Sequence, residues 1–346
     1  MSTAAAPAGR YPEGRAAVGP PESRGLDRDG VRLQVACRAG ISHATFRDLG
    51  AYLRPGDLLV VNNSQTLPAA VDGTREDGRA TTLHFSAELD DGTWIMELRR
   101  PDNTGPFLDG SSGEPVRPAA GGQITILSAY RGVEGRSRLL VARPELGQPV
   151  AGYLQRYGRP IAYGYLEEQR PLSDYQTIFA REPGSAEMPS AGRPFSGRLV
   201  ADLISREVLL APITLHTGVS SPVISELPAA ERFRVPATTA ALVNHTHREG
   251  GRVIAVGTTV ARALESAVDG RGVVSGAEGW TDLVLDSSRP VRAVDGLITG
   301  WHASSATHLM LLESVAGADL VSRAYDAAAG AGYLWHEFGD SCLLLP

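Results

Sequence analysis

Residues 57–64, Asp-Leu-Leu-Val-Val-Asn-Asn-Ser, are the stretch that decides the fold class. Its unbroken apolar run, directly after the aspartate, is typical of a strand buried on both faces of a sheet. Both faces are buried when helices pack on the two sides of a parallel sheet. The run ends on a polar triplet, and in open α/β sheets ligands bind beyond the carboxyl ends of the strands. The stretch therefore predicts an α/β fold and the sheet edge at which a site lies.

Strands and helices alternate over most of the chain outside residues 68–150. Apolar spacing predicts helices at residues 43–53, 196–207, 236–248, 260–268 and 307–328. Ser196 and Thr258 are the expected N-caps of two of them. Apolar runs predict further strands at residues 208–216, 252–256, 283–285 and 297–298. This alternation predicts a doubly wound, mostly parallel sheet.

The sequence changes character at residues 68–150, where short alternating runs are separated by Gly, Pro and Asp turns. Short strands at such spacing predict a small antiparallel β-barrel. We therefore expect one α/β catalytic domain, formed by residues 21–67 and 151–346, which is interrupted by a barrel domain inserted at residues 68–150. Residues 1–20 are rich in Ala, Gly and Pro and are expected to form a disordered arm.

All 33 basic residues of this 346-residue chain are arginine, because the sequence contains no lysine. Schiff-base catalysis and a phosphate-loop lysine are therefore excluded. The formal net charge of -6 argues against a protein coated in nucleic acid. A local arginine patch can still contact RNA phosphates, so RNA binding stays open.

The cysteines and the apolar runs predict the compartment. Cys37 and Cys342 stand apart in the sequence, without metal-ligand spacing and without the density of a disulfide framework. The sequence has neither a basic-then-apolar leader nor an apolar run of about 20 residues. We therefore expect a cytoplasmic monomer that binds neither a membrane nor a metal.

Four polar clusters follow predicted strands, at residues 62–64, 216–218, 257–259 and 295–302. Each cluster alone also fits turn or capping chemistry, but together they predict one pocket. By residue type, His216 and His302 are the best acid–base candidates, whereas the other histidines, including His308, are expected at the surface or at helix caps. The strand-to-helix junction Gly-Thr-Thr at 257–259 offers free backbone N–H groups to a carboxylate or phosphate.

A Gly/Pro/Ser-rich segment precedes the helix predicted at 196–207. Glycine lets the backbone approach a ligand closely. The nearby Tyr175, Gln176 and Phe195 suit stacking on a nucleobase. The alternative is an ordinary surface loop.

An ordered set of short motifs resembles the S-adenosylmethionine:tRNA ribosyltransferase-isomerases. Each motif alone is unspecific, but their order and spacing run through most of residues 20–346. The motifs are Pro-Gly-Asp-Leu-Leu-Val at 55–60, Tyr-Gln-Thr at 175–177, Gly-Ser at 184–185, Pro-Ser-Ala-Gly at 189–192, Thr-Leu-His at 214–216, Ile-Ala-Val-Gly-Thr-Thr at 254–259, Leu-Glu-Ser at 264–266, Val-Asp-Gly-Leu-Ile-Thr at 294–299 and Phe-Gly-Asp at 338–340.

The resemblance implies an α/β domain interrupted by a β-barrel and an activity in queuosine biosynthesis. The implied reaction transfers and isomerises the ribosyl part of S-adenosylmethionine onto 7-aminomethyl-7-deazaguanine in a tRNA anticodon. Adenine and methionine leave, and epoxyqueuosine results. S-adenosylmethionine is then a co-substrate, tRNA is the partner, and no metal is required because the sulfonium acidifies the neighbouring carbon.

The resemblance also implies roles for individual residues. His216, His302 and Asp295 are expected near the chemistry, and Glu187 is a further catalytic candidate. Thr258 and Thr259 are expected to hold the methionine or ribose end. The remaining residues expected to line the S-adenosylmethionine site or to frame the base pocket are Asn62, Asn63, Ser64, Gly257, Tyr175, Gln176, Ser190 and Gly192.

Several positions depart from the family pattern. Asn63 stands where the family has aspartate, Ser64 where it has threonine, and Pro194 where it has histidine. Arg193 adds a charge, and Glu187 replaces a small residue and is a candidate to take over proton transfer. These departures leave two alternatives open: an S-adenosylmethionine-using transferase with a non-tRNA, small-molecule acceptor, and a catalytically silent RNA-binding paralogue.

Overall fold

The computed structural model describes residues 10–220, 229–304 and 308–346. Within these residues the strands, β1 to β19 in chain order, are Arg15–Ala16, Arg32–Cys37, Gly40–Thr45, Leu58–Asn62, Ser64–Thr66, Ala70–Thr74, Ala80–Glu88, Trp94–Arg99, Pro115–Pro118, Gln123–Ala129, Leu139–Glu145, Glu182–Ser185, Leu209–Leu215, Glu231–Val235, Val253–Val256, Ala277–Thr281, Gly296–Gly300, Leu334–Trp335 and Ser341–Leu345. The α-helices, α1 to α6, are Val150–Tyr157, Gly197–Ser205, Ala237–Arg248, Thr258–Ser266, His308–Ala316 and Ala318–Gly330. Short 3-10 helices span Pro21–Arg24, Arg28–Gly30, Phe46–Tyr52, Leu172–Tyr175 and Ser190–Gly192.

The main sheet has the strand order β16-β14-β13-β4-β15-β17-β19-β2-β3. Its centre, from β13 to β17, is parallel, whereas both flanks contain antiparallel pairs. Leu58 and Val60 of β4 pack into the core on one face, and Leu59 and Val61 pack into the core on the other. The predicted α/β fold with a strand buried on both faces is thus confirmed, and the sheet as a whole is mixed.

The inserted barrel is closed, with the strand order β10-β11-β8-β7-β6-β9, and all its pairs are antiparallel. Its interior is packed with apolar side chains such as Phe85, Trp94 and Met96. The barrel separates β5 from β12 along the chain, yet these two strands pair in parallel. The predicted β-barrel within an α/β domain is confirmed. The segments before and after the barrel pair with each other through β5 and β12.

Several predicted elements differ from the structure. Of the helix predicted at 43–53, residues 43–45 belong to β3 and the rest is mainly a 3-10 helix. Gly257, not Thr258, is the N-cap of α4, which begins at Thr258 itself. The run 283–285 forms no strand, because its apolar side chains are used in packing without backbone pairing. The helix predicted at 307–328 is two helices separated by Gly317, and residues 305–307 lie outside the described residues.

The arm predicted to be disordered is ordered from residue 10 onward. Tyr11 is buried with its ring 5.2 Å from that of Tyr325, and Arg15–Ala16 pairs with β18. An aromatic anchor of this kind explains the difference, because it supplies the apolar burial that the Ala/Gly/Pro composition did not suggest. Residues 1–9 lie outside the described residues. None of the helices in the described ranges combines the length and apolarity required to cross a bilayer.

Candidate active site

Asn62 ties together the chain segments that meet at the carboxyl edge of the central strands. Its Nδ2 donates to the Leu215 carbonyl at 2.8 Å and to Thr259 Oγ1 at 3.4 Å. Its Oδ1 accepts from the backbone N–H of Ser64 at 3.0 Å. The side chain is buried, so these bonds satisfy an amide that would otherwise destabilise the core. Asn62 therefore fixes the end of β4 against the end of β13 and the start of α4.

A chain of hydroxyls begins at His216, directly after β13. His216 Nδ1 lies 2.8 Å from Ser64 Oγ, which lies 2.6 Å from Ser185 Oγ. Ser185 Oγ lies 3.1 Å from Thr217 Oγ1. Burial lowers the pKa of His216, and the charge of Arg232 lowers it further, so the imidazole is neutral at pH 7.

The His216 ring packs directly against the backbone of Gly184. A Cβ at residue 184 would lie 2.5 Å from His216 Nδ1, well inside van der Waals contact. Because glycine carries no side chain, β12 can approach the ring closely enough for the next residue, Ser185, to join the hydroxyl chain. The Gly-Ser pair noted in the sequence thus has a steric reason.

A cavity, here called the inner cavity, opens beyond the start of α4. Among the side chains that line it are Thr217, Ser220, Thr258, Thr259, Arg262 and His308. The first turn of α4 presents backbone N–H groups that lack intrahelical partners. Gly257, with φ 97°, places these groups next to the Ser190–Gly192 turn, since a Cβ at Gly257 would lie 3.3 Å from that of Ala191. The predicted residues Ser190, Gly257, Thr258 and Thr259 therefore lie in one region.

Charged side chains form part of the inner cavity wall. Glu231 pairs with Arg262, and Glu231 Oε1 also accepts from the Gly218 N–H at 3.0 Å. The barrel contributes Arg138, whose Nη1 lies 3.0 Å from Glu97 Oε1. The cavity thus lies between the α/β domain and the barrel and is lined by both.

Glu187 is separated from the inner cavity by Ser220, which lines that cavity. Its carboxylate is buried and accepts from the Ser220 N–H at 2.9 Å and from Ser220 Oγ at 2.5 Å. Burial raises the pKa of Glu187 above the usual range of a glutamate, and the two hydrogen bonds offset part of that rise. The structure therefore places this candidate acid–base group one hydrogen bond from the inner cavity.

His302 and His308 form a stacked pair beyond β17. Their ring centroids are 4.4 Å apart with an interplanar angle of 3°. His302 Nε2 lies 3.1 Å from Thr299 Oγ1. Burial lowers the pKa of both imidazoles, that of His308 to about 4, so both are neutral at pH 7. His308, expected at the surface or at a cap, is the first residue of α5 and also lines the inner cavity.

A second space, here called the outer groove, has a volume of about 330 Å³. The segment His216–Thr217, here called the partition, lies between it and the inner cavity. Its lining includes Glu182, His216, Arg232, Arg234, Glu278 and Trp280. Trp280 Nε1 donates to Asp90 of the barrel at 3.0 Å, which bridges the groove from the sheet edge to the barrel. His216 and Thr217 are consecutive residues, yet His216 lines the groove and Thr217 lines the inner cavity. The segment after β13 therefore separates two spaces.

Asp295 is not at this edge of the sheet, which corrects its predicted place near the chemistry. It precedes β17, and in the parallel centre of the sheet the residue before a strand lies at the amino edge. Its Oδ2 accepts from the Val253 N–H at 2.8 Å and lies 3.0 Å from His247 Nε2. The polar cluster at 295–302 spans a whole strand, so its His302 end lies at the carboxyl edge, where His302 stacks on the cavity-lining His308.

Tyr175 and Gln176 serve the packing around β5. The Tyr175 ring is buried against Tyr163 and Phe338. The Gln176 amide pairs with the backbone of Thr66, accepting at 3.1 Å and donating at 2.8 Å. The segment at Tyr175–Gln176 is thereby fixed to β5, the strand that carries Ser64. The expectation that both side chains face a base is therefore corrected.

Two departures from the family pattern have partners inside the protein. Asn63 Oδ1 accepts from Thr214 Oγ1 at 2.7 Å. Arg193 is buried, donates to the Asp174 carbonyl at 2.8 Å and pairs with Glu22 at 3.0 Å. The charge of Arg193 is therefore neutralised within the fold, since these contacts occupy its guanidinium. Pro194 is buried beside it. In the run His-Thr-Gly-Val-Ser-Ser at 216–221, the last residue, Ser221, lies outside the described residues.

Comparisons with known proteins agree on one family. A family profile described as "Queuosine biosynthesis protein" matches residues 10–344. An S-adenosylmethionine:tRNA ribosyltransferase-isomerase of Symbiobacterium thermophilum is 37% identical over 335 residues, which cover 92% of this chain and 94% of the relative. One of Moorella thermoacetica is 35% identical over 354 residues, covering 96% and 97%. A crystal structure of an S-adenosylmethionine tRNA ribosyltransferase from Thermotoga maritima matches with a TM-score of 0.53 and 27% identity, covering 97% of this chain and 99% of that one.

Proposed function

This chain belongs to the queuosine biosynthesis family of S-adenosylmethionine:tRNA ribosyltransferase-isomerases, and we propose that it performs their reaction between the inner cavity and the outer groove. In that reaction the ribosyl part of S-adenosylmethionine is transferred and isomerised onto 7-aminomethyl-7-deazaguanine in the tRNA anticodon. Adenine and methionine are released, and epoxyqueuosine is formed. The observation that carries the proposal is the pair of spaces that meet at His216 and Thr217. A reaction of two substrates requires two such sites with one shared boundary.

The polar groups of the inner cavity suit the methionine and ribose ends of S-adenosylmethionine. Backbone N–H groups of the first turn of α4, with the hydroxyls of Thr258 and Thr259, match a methionine carboxylate or a ribose. The sulfonium is a cation, and His308 is held neutral by its burial. A neutral imidazole does not repel the sulfonium, whereas a protonated one would oppose its binding. Chemistry at the sulfonium needs no metal, because the positive sulfur itself acidifies the adjoining carbon.

The outer groove suits a nucleotide whose base carries an amine. Trp280 offers an aromatic surface for stacking. Arg232 and Arg234 are exposed and offer positive charge to backbone phosphates. The Arg232 guanidinium lies 3.8 Å from Asp90 and 3.5 Å from Glu278, which are long separations for an ion pair. Glu182 and Glu278 supply negative charge for the aminomethyl cation. The groove therefore carries positive charge for the anionic phosphates and negative charge for the cationic aminomethyl group of the base.

Two groups of different chemistry flank the reacting centre. Glu187 is our candidate for removing the proton beside the sulfonium, because a carboxyl with a raised pKa is a stronger base than an ordinary glutamate. This assignment matches one of the alternatives raised by the loss of the family's histidine at Pro194, namely that Glu187 takes over proton transfer. His216, neutral and at the groove floor, is our candidate for accepting a proton from the acceptor amine.

One assay tests the proposal. Purified protein is incubated with labelled S-adenosylmethionine and tRNA that carries the aminomethyl-deazaguanine base, and adenine, methionine and the modified nucleoside are measured. The matched control is the same tRNA with guanine at that position, which lacks the amine nucleophile. We expect all three products with the first tRNA and no modified nucleoside with the second. Adenine release that does not depend on tRNA would favour a small-molecule acceptor, and tRNA binding without turnover would favour a silent RNA-binding paralogue.

A further inference from the structure

The hydroxyl chain at the partition is continuous from one space to the other. It starts at His216, which lines the outer groove, and ends at Thr217, which lines the inner cavity. The three successive separations, His216 Nδ1 to Ser64 Oγ, Ser64 Oγ to Ser185 Oγ and Ser185 Oγ to Thr217 Oγ1, are 2.8, 2.6 and 3.1 Å. Each lies within hydrogen-bond distance.

The middle of the chain is closed to solvent. Ser64 is 1% exposed and Ser185 is 0% exposed. In such a setting a buried hydroxyl requires protein partners, and here each serine finds them in the chain itself. The Thr217 N–H donates to Ser185 Oγ at 3.0 Å, and β5 pairs with β12, so backbone geometry holds both serines in place. Bulk water therefore cannot substitute for either hydroxyl.

Each member of the hydroxyl chain can donate a proton to one neighbour and accept a proton from the other. A hydroxyl donates one hydrogen and accepts others, so it can give its proton to one neighbour while it receives a proton from the next. The donor in the Ser64–Ser185 pair and in the Ser185–Thr217 pair can be either atom. Neutral imidazole likewise holds a proton on one nitrogen and accepts one on the other. Burial lowers the pKa of His216 and so keeps its ring in this neutral form.

We propose that His216, Ser64, Ser185 and Thr217 form a proton relay that joins the acceptor amine in the outer groove to the departing adenine in the inner cavity. The inference rests on the proposed function for the identity of the two end groups. His216 and Thr217 are the ends that contact substrates, and Ser64 and Ser185 act through them as positioning residues.

The proposed step balances without an added reactant. The amine N–H bond breaks, and its proton goes to Nε2 of His216. Nδ1 passes a proton to Ser64, Ser64 to Ser185, and Ser185 to Thr217. Thr217 gives its proton to the adenine nitrogen, which holds the electron pair of the broken glycosidic bond. One proton leaves the amine and one reaches adenine, and nothing is oxidised or reduced.

Replacement of the buried serines tests the relay. Ser64→Ala and Ser185→Ala each interrupt the chain, and we expect the single-turnover rate to fall on the order of 100-fold, in line with other acid–base groups. Affinity for S-adenosylmethionine, measured by equilibrium dialysis, should stay near that of the wild type. Ser64→Thr restores the hydroxyl and should recover most of the rate. Ser86→Ala is the matched control, because Ser86 is a buried serine that accepts from Val219 N–H outside the relay.

Solvent deuterium separates proton transfer from packing. A relay moves several protons together, so the wild-type single-turnover rate should depend on the deuterium fraction along a curve. The two alanine variants should lose that curvature, and Ser86→Ala and Ser64→Thr should keep it. Alanine variants with wild-type rate and curvature, or with affinity lost in proportion to rate, would overturn the relay.

A measurement on the unliganded protein keeps the inference separate from the proposed function. Absence of tRNA-dependent turnover in the wild type would refute the proposed function. The hydrogen-bond chain is then judged by ¹⁵N NMR of the His216 ring, where Ser64→Ala should shift Nδ1 strongly and Ser185→Ala should shift it less. Unchanged Nδ1 shifts in both variants would show that the chain is not formed in solution.

Discussion

The two edges of the central sheet each carry a histidine, and the two histidines have opposite electrostatics. At the carboxyl edge, His216 contacts a hydroxyl, and burial lowers its pKa. At the amino edge, His247 contacts the carboxylate of Asp295, and that hydrogen bond raises its pKa. Burial thus favours the neutral form of the His216 imidazole, whereas the carboxylate of Asp295 favours the protonated form of His247. Residue type alone does not distinguish these uses, but the partner does.

The amino edge holds carboxylates that cap strand starts. Asp57 accepts from the N–H groups of Arg54 and Arg252 and also pairs with the Arg252 guanidinium. Asp295 accepts from the N–H of Val253, the first residue of β15. Backbone donors at strand starts need acceptors, and these side chains provide them. The carboxylates of the amino edge therefore support the fold, whereas the chemistry that we propose lies at the carboxyl edge. Four experiments test this division.

Asp57→Ala should give the largest effect, on stability alone. Burial opposes ionisation of Asp57, but hydrogen bonds from Arg252 and Arg54 outweigh it and lower the pKa of this carboxyl. Removal leaves donors without an acceptor and one partner of a buried ion pair alone, so we expect a loss of about 3 kcal/mol in the free energy of unfolding. Urea unfolding at pH 7 measures it. S-adenosylmethionine affinity of the folded variant should be unchanged, and a specific loss of affinity would break the division between edges.

His216→Gln and His247→Gln form a matched pair. We expect His216→Gln to lower the rate of tRNA modification on the order of 100-fold, because glutamine cannot accept and return a proton. His247→Gln should leave the rate within twofold. The pH profile sharpens the test: since the pKa of His216 is lowered, wild-type activity should persist below pH 6.5. Equal losses in the two variants would contradict the comparison.

Trp280→Ala tests the outer groove at the carboxyl edge. Loss of a stacking surface is worth about 1–3 kcal/mol per base in other proteins, so we expect KM for tRNA to rise about tenfold or more. The KM for S-adenosylmethionine should not change, because Trp280 lines the groove and is not among the described residues that line the inner cavity. Asp90→Asn removes the charge of the Trp280 partner but keeps an acceptor, and it serves as the control. A parallel rise in both KM values would place Trp280 in general packing instead.

Asp295→Asn should give the smallest effect. The folded pKa of His247 is raised, so its pairing with Asp295 stabilises the protein fully below the unfolded pKa near 6.5 and loses that contribution as pH rises through the folded pKa. Asparagine keeps the acceptor for Val253 but not the charge. Both side chains are partly exposed, so solvent screening limits the difference to less than about 1 kcal/mol. Unfolding curves at pH 5.5 and pH 9 should show the wild-type advantage only at the lower pH.

Local patterns in the sequence were sufficient for the four parallel strands at the centre of the main sheet, β4, β13, β15 and β17, and for the polar residues at the end of β4. The flanking strands β2, β3, β14, β16 and β19 were not predicted. The buried run of β4 and its polar end predicted where Asn62 and Ser64 lie, because an apolar run and its termination are local properties. Ser196 was predicted as an N-cap for the same reason, and its side chain accepts from Leu199. The barrel was recognisable because its strands are short, alternate in polarity and are separated by turn residues.

Features that depend on distant contacts were not predictable in this way. Ser185 and Thr217 join the hydroxyl chain through contacts with residues far away in the sequence, and neither residue type signals this. His308 was expected at the surface or at a helix cap, and nothing in the sequence indicated that it stacks on His302 and lines the inner cavity. Asp295 was assigned to the wrong edge because a polar residue before a strand and one after it look alike in the sequence. The sequence indicated that Arg193 adds a charge, and only the fold shows Glu22 beside it.

The pairing of β5 with β12 has a consequence for how the protein assembles. These strands carry Ser64 and Ser185, and the whole barrel lies between them along the chain. Their union closes a very long loop, whose entropic cost falls if the intervening segment has already collapsed into a barrel. Parallel contacts of such sequence separation form slowly. A substitution that destabilises the barrel, even at a position remote from any substrate, would therefore slow the pairing of β5 with β12. Its effect would be slower folding to the active form and not a change in the chemistry itself.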